Sequence, residues 1–245
     1  MKRIAAVAAI LLTLLPWRPA HALGPAGTLP VGNEGTGSFA VGAGFQLREL
    51  ALSSRKSEFP GITARQKLYY AQVSAESYGW EWTGRLGGAD FSDGRQFDAG
   101  LKPFAGVGVR GTLYGDRMGD YGVTASLRAD LFSRYTADTE VGPRLQGLVR
   151  VKDFWDAEAA LTGYRHFDRL TVYAGPVLEY VEAKIYRTTF SGPGIDTTND
   201  SYYKKKSNAG VAGGLSWQQG GKRIGVEGGA SGGSYVIGIE ASLVF

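Results

Sequence analysis

Cysteine is absent from the 245 residues, methionine occurs only as Met1 and Met118, and histidine only as His21 and His166. No disulfide can staple such a chain and no thiolate can hold a metal, so a metal site would have to be built from oxygen donors. Asp196, Asn199 and Asp200 have that chemistry, but acidic loop clusters of this kind are ordinarily solvated; no metal and no cofactor is expected. Scarce histidine also argues against an enzyme, because hydrolytic chemistry usually draws its general base from an imidazole. His166 is placed in a short turn, Arg165-His166-Phe167-Asp168, away from any rim where substrate would arrive. Long apolar runs are equally few. Ile4 to Leu15 is shorter than the roughly 20 residues a membrane helix needs, and no later stretch keeps a 3.6-residue apolar period.

Lys2 and Arg3, the apolar run, and Ala20-His21-Ala22 together form the three-part pattern of a secretory signal peptide, with cleavage expected after Ala22. Losing 1–22 removes Lys2, Arg3 and Arg18 but no acid, so the formal charge falls from +4 to +1. The basic balance belongs mostly to the precursor. A nucleic-acid partner, which needs a clustered basic face, is therefore not expected.

What the remainder has is glycine, 37 residues of it, set singly among aliphatic and aromatic residues that alternate with a period of two. Tyr235, Ile237, Ile239, Ala241, Leu243 and Phe245 share one face of the last segment, opposite Ser234, Gly238, Glu240 and Ser242. Phe39 to Leu47, Val123 to Leu131 and Val211 to Trp217 repeat the pattern. Strands are expected near 37–50, 66–76, 80–90, 98–114, 121–135, 146–165, 169–187, 205–217, 222–230 and 234–245. Connections at 77–79, 115–120, 166–168 and 218–221 are short, whereas 51–65, 136–145 and 188–204 are long; 92–96 is intermediate, and 231–233 is short where the alternation calls for a long loop. Short turns at one end and long loops at the other suit an all-β, closed antiparallel up-and-down transmembrane barrel of about ten strands, with eight and twelve as alternatives. Trp80, Trp82, Trp155 and Trp217 are expected near the short turns as an interfacial girdle. Residues 23–36 are read as a short periplasmic segment and 37–245 as the barrel.

The closing segment Tyr235 to Phe245 resembles the C-terminal strand of bacterial outer-membrane barrels, and Leu68 to Phe91, with Arg85-Leu86-Gly87-Gly88-Ala89-Asp90, and Asp153 to Val181 are similar to small porin-like barrels. That resemblance implies an outer-membrane location, Tyr235 and Phe245 as the assembly signal, and the barrel-assembly machinery as a partner in biogenesis.

The polar face is expected to line the lumen: Arg48, Glu76, Glu81, Arg85, Lys102, Arg110, Arg128, Asp130, Arg150, Lys152, Asp156, Glu158, Glu179, Arg223, Glu227 and Glu240. In a lumen as narrow as about ten strands allow, these charges pair with one another or with water, giving a structural or small-pore role. The alternative is an outer-surface binding or adhesion protein acting through the 188–204 loop and its flank, with Tyr202, Tyr203, Lys204, Lys205 and Lys206 as contacts. Outer-membrane lipid and lipopolysaccharide phosphates are the expected surroundings of those lysines. Since closure removes strand edges, a monomer is expected.

Overall fold

The computed structural model describes residues 38–56, 61–77, 80–93, 97–115, 120–142, 145–190, 196–205 and 207–245. The expected signal peptide, the 23–36 segment and Lys206 lie outside them. Every regular element is a strand: β1 (Ser38–Ser54), β2 (Ile62–Ser77), β3 (Trp80–Ser92), β4 (Asp98–Tyr114), β5 (Tyr121–Phe132), β6 (Tyr135–Gly142), β7 (Leu145–Phe167), β8 (Leu170–Phe190), β9 (Asp196–Lys205), β10 (Ala209–Gln219), β11 (Lys222–Ser231) and β12 (Ser234–Val244). Neighbours pair antiparallel from β1 through β5 to β7, β8, β10, β11 and β12, and β12 returns to β1 from Ala40↔Val244 to Glu49↔Tyr235. The result is a closed ring of ten strands.

The two remaining strands continue ring strands past a break. β5 stops at Phe132 and the chain resumes as β6, while on the partner β7 the register shifts between Lys152 and Trp155, with Asp153 at φ 50°. β9 likewise runs into β10 across 206–208, after pairing with β8 from Phe190↔Asp196 to Glu182↔Lys204 and touching β1 at Leu52–Ser54. The stretches 136–145 and 188–204, expected to be loops, are thus largely strand. Together with the upper halves of β7 and β8 they form a four-stranded extension standing above the ring. Thr and Tyr are frequent in these segments and suit half-exposed strands, which is why the extension takes this form despite its polar composition.

Alternation decides the two faces. Leu86, Val107, Leu127, Leu131, Leu178, Val211, Ile237 and Ile239 point outward and are exposed, forming a continuous apolar band round the ring. Such a band is stable only against lipid, where closure is the sole way for a sheet to satisfy its backbone. Trp80, Trp82 and Trp217 are exposed at the short-turn end, with Phe245 and Leu243 beside them in level. Trp155 departs from expectation. It lies at the other edge of the band, by the β7 break, its ring 5.0 Å from Tyr180.

Glycine takes two roles. At the β10–β11 and β11–β12 turns, Gly220 and Gly221 (φ 55° and 72°) and Gly232 and Gly233 (φ 55° and 83°) supply the left-handed pairs that two-residue hairpins need. On the inward face, glycine lies between two long side chains on flanking strands that bond over it. Gly106 opposes Arg85 on one side and Asp130 on the other, and those two form an ion pair. Gly44 separates Tyr70 from Glu240, and Gly214 separates Tyr173 from Glu227, whose hydrogen bond is 2.8 Å. A Cβ at Gly106 would be driven into the Asp130 carboxylate, and one at Gly44 or Gly214 into the tyrosine beside it. Gly100, by contrast, has open space. Gly106→Ala should therefore lower the urea midpoint of the refolded barrel by the equivalent of about 1–3 kcal/mol, while Gly100→Ala should stay within about 0.5 kcal/mol. Equal midpoints for the two variants would refute the role given to Gly106.

Candidate functional site

The inward face is built in two layers. Nearest the long-loop end, Leu50, Leu52, Ala64, Phe91, Phe97, Ala99, Tyr135, Val151, Phe154, Val181, Ala183, Ile185 and Tyr203 form one buried apolar cluster. Phe91 is its centre, with ring centroids at 5.8 Å from Phe97, 5.6 Å from Tyr135 and 5.4 Å from Phe154. Aromatic pairs at such spacings add to the ordinary gain from burying the rings, so this end of the lumen is a packed core rather than a wide mouth.

Below it the side chains are charged. Arg48 on β1 donates to Asp156 on β7 and, at 2.6 Å, to Glu179 on β8. Counting round the ring, β7 lies diametrically opposite β1, so this guanidinium is a strut across the lumen. Glu179 also accepts from Lys205, which in turn donates to Ser231. Arg85 pairs with Asp130 (Nε to Oδ1 2.7 Å), and Arg128 reaches Asp130 at 3.5 Å and Glu158 at 3.2 Å. Arg110 holds Glu81, its direct register partner on β3, through Nε at 2.9 Å. Nearer the seam, Gln72 donates to Glu240 at 2.9 Å, and Arg223 donates to Ser216 at 2.8 Å. The arginine at the centre of the strut and its partner Asp156 are each 1% exposed. Space left beside Arg48, Glu158, Glu179 and Glu227 amounts to about 20 Å³, room for roughly one water molecule.

Of the lumen candidates, Arg48, Glu76, Glu81, Arg85, Arg110, Arg128, Asp130, Asp156, Glu158, Glu179, Arg223, Glu227 and Glu240 lie on the inward face, nearly all of them buried. Arg150 does not. The irregularity between Lys152 and Trp155 reverses the facing of β7 above it, so Val149 and Val151 turn in to the apolar cluster while Arg150 and Lys152 turn out. Two of the loop candidates move the other way: Tyr203 is buried in the apolar cluster and Lys205 in the charged layer, because β9 is a strand whose odd-numbered residues face inward, the reverse of the even-numbered parity in β10. Tyr202 and Lys204 do face outward. The apolar layer went unread in the sequence, although Leu50 and Leu52 continue the inward parity of Arg48.

His166 belongs to the end of β7 rather than to a turn; its Nδ1 is 2.7 Å from Thr171 Oγ1 and its ring 5.1 Å from Tyr164. Asp200 is held by Lys184 at 3.2 Å and by Lys56 at 3.4 Å, and these hydrogen bonds, the Lys184 bond first, lower its pKa. Among the described residues no group of three or more histidine, cysteine or acidic side chains is placed to hold a metal.

A closed antiparallel ring, apolar outside and ion-paired within, defines a transmembrane β-barrel. No protein-family model and no curated protein matches the sequence. Among solved structures, the chain is similar to the translocator domain of autotransporter NalP from Neisseria meningitidis (13% identity, TM-score 0.43, covering 87% of this chain and 90% of that one). It is also similar to outer membrane protein AlkL (12%, 0.42, 95% and 97%) and to outer membrane protease OmpT from Escherichia coli (12%, 0.39, 85% and 96%). At these identities the likeness is one of general fold.

Removing one partner of a buried ion pair leaves the other without compensation. Arg48→Met should destabilise the barrel by about 3–5 kcal/mol, read as the unfolding midpoint in urea. Adding Asp156→Leu to it should recover much of the loss, since Glu179 keeps Lys205 as its partner. A single variant as stable as the parent chain would contradict the strut.

Proposed function

We propose that this chain is an outer-membrane barrel with a closed lumen and a structural, non-catalytic role: a rigid, monomeric anchor that carries a four-stranded platform above the membrane. The observation that carries the reading is the Arg48 strut, which joins opposite walls through Asp156 and Glu179 beneath an apolar cap. A conducting pore needs a continuous wetted path, whereas here cross-lumen pairs and packed rings occupy the inward face. Tyr235 and Phe245, on the outward face of the last segment, act as the assembly signal in this reading.

A second reading, surface binding through the extension, is favoured by a specific feature: β6 to β9 hold outward side chains in fixed strand positions instead of on loose loops. The two readings are compatible, since the plugged ring provides the rigidity that a displayed surface requires.

In planar bilayers the refolded chain should give no steady current above the lipid baseline, and Arg48→Ala combined with Phe154→Ala should introduce one. Stable unitary conductance from the unaltered chain would overturn the closed-lumen reading.

A further inference from the structure

The breaks that give rise to the extension also place its outward residues in rows that continue the lipid-facing side of the barrel. The apolar band ends on this side at the Trp155–Tyr180 pair, above exposed Leu178 and Val211. In the next rows up, register sets Lys152 opposite Lys184, Lys184 opposite Tyr202, and Glu182 opposite Lys204. Arg150 faces Tyr186 one row higher. Arg55 and Lys56, following β1, close the sheet from the side: Arg55 lies 5.3 Å from the Tyr202 ring, and Lys56 donates to the Asp200 carbonyl at 2.7 Å.

Six cations therefore stand on one sector with three carboxylates among them, Glu182, Asp200 and the exposed Asp153 next to Lys152. The acids do not cancel the charge. Tyrosine rings hold the ammonium groups in place, with Lys152 4.7 Å and Lys184 4.8 Å from Tyr186, Lys184 5.0 Å from Tyr202, and Lys204 5.0 Å from Tyr180. Hydrogen bonds from Lys184 to Tyr186 and Asp200 raise its pKa, keeping it charged. On the opposite wall the same level is balanced in number, Arg65 and Lys67 standing with Glu49 and Asp90; Arg65 pairs with Glu49 at 3.0 Å, and the Lys67 backbone amide donates to the Asp90 carboxylate.

A cationic, tyrosine-braced sector one row beyond the apolar band lies where lipid headgroups lie, and it faces them rather than the bulk solvent above. We infer that the outward face of β7, β8 and β9 above Trp155 is a docking surface for the phosphate-bearing headgroups of the surrounding leaflet. Lys152, Lys184 and Lys204 supply the contacts, and the adjacent band residues receive the acyl chains. The inference rests on the outer-membrane placement proposed above and not on the closed lumen, so a conducting barrel would leave it standing.

The test is titration of fluorescent lipopolysaccharide onto the detergent-refolded mature chain, for variants whose unboiled sample shows the fast-migrating folded band. The Lys152→Gln/Lys184→Gln/Lys204→Gln variant should bind on the order of 100-fold more weakly. The corresponding triple Lys→Arg variant should bind as the parent does, and Arg65→Gln/Lys67→Gln on the opposite wall should change little. Inorganic phosphate at millimolar concentration should not displace the lipid; ready displacement would mark a free-phosphate site and overturn the inference. So would a glutamine triple that binds like the parent, or an equal loss on the opposite wall. Should the glutamine triple fail to give the folded band, the parent chain decides: affinity unchanged between roughly 0.05 and 0.5 M salt overturns the headgroup contact, and a steep loss supports it. Absence of the folded band in the parent itself would instead remove the membrane placement.

Discussion

The pairing of the first strand with the last is the constraint on which the rest depends. In lipid, an unpaired strand edge leaves backbone amides and carbonyls with no partner, at several kcal/mol each. The register from Ala40↔Val244 to Glu49↔Tyr235 removes both edges at once. Once the ring is closed, alternation has nowhere to put polar side chains except inside, and nowhere to put Leu, Val and Ile except against lipid.

Closure at ten strands then creates the second problem, a narrow interior crowded with charge. The chain solves it by bonding at two ranges. Over one strand, glycine at positions 44, 106 and 214 lets a tyrosine or arginine reach an acid two strands away. Over the whole diameter, Arg48 meets Asp156 and Glu179. Buried ion pairs of this kind add little net stability compared with apolar packing, but breaking one is expensive, so they enforce a single arrangement of the walls. The apolar cluster at the long-loop end provides what the ion pairs do not, the ordinary gain of burying aromatic and aliphatic surface.

Much of this was legible in the sequence because a period of two is hard to mistake over eight or more residues. Strand number, the long-loop and short-turn ends, and the inward facing of Arg48, Arg85 and Glu240 all followed from it. Arg150 and Lys152 were misplaced because a single extra residue, with Asp153 in the left-handed region, reverses the facing of everything beyond it. No composition signal marks that irregularity, since aspartate is one of the non-glycine residues that tolerates the conformation. Tyr203 and Lys205 were misread for a related reason: adjacent identical residues, Tyr202-Tyr203 and Lys204-Lys205, look like one patch in a loop but occupy opposite faces once the segment is a strand. The partner choices across the lumen were not legible at all, because they depend on ring closure and not on local pattern.

The absence of native cysteine makes closure directly measurable. Ala43 and Ala241 are opposed across the seam, both outward, so Ala43→Cys/Ala241→Cys should cross-link on mild oxidation of the refolded chain. Efficient linkage of this pair, with little for Ala43→Cys/Ser242→Cys, whose second residue points into the lumen, is the result a closed ring in this register predicts. No linkage of the first pair in a chain that otherwise folds, or equal linkage of both, would contradict the barrel from which every other conclusion follows.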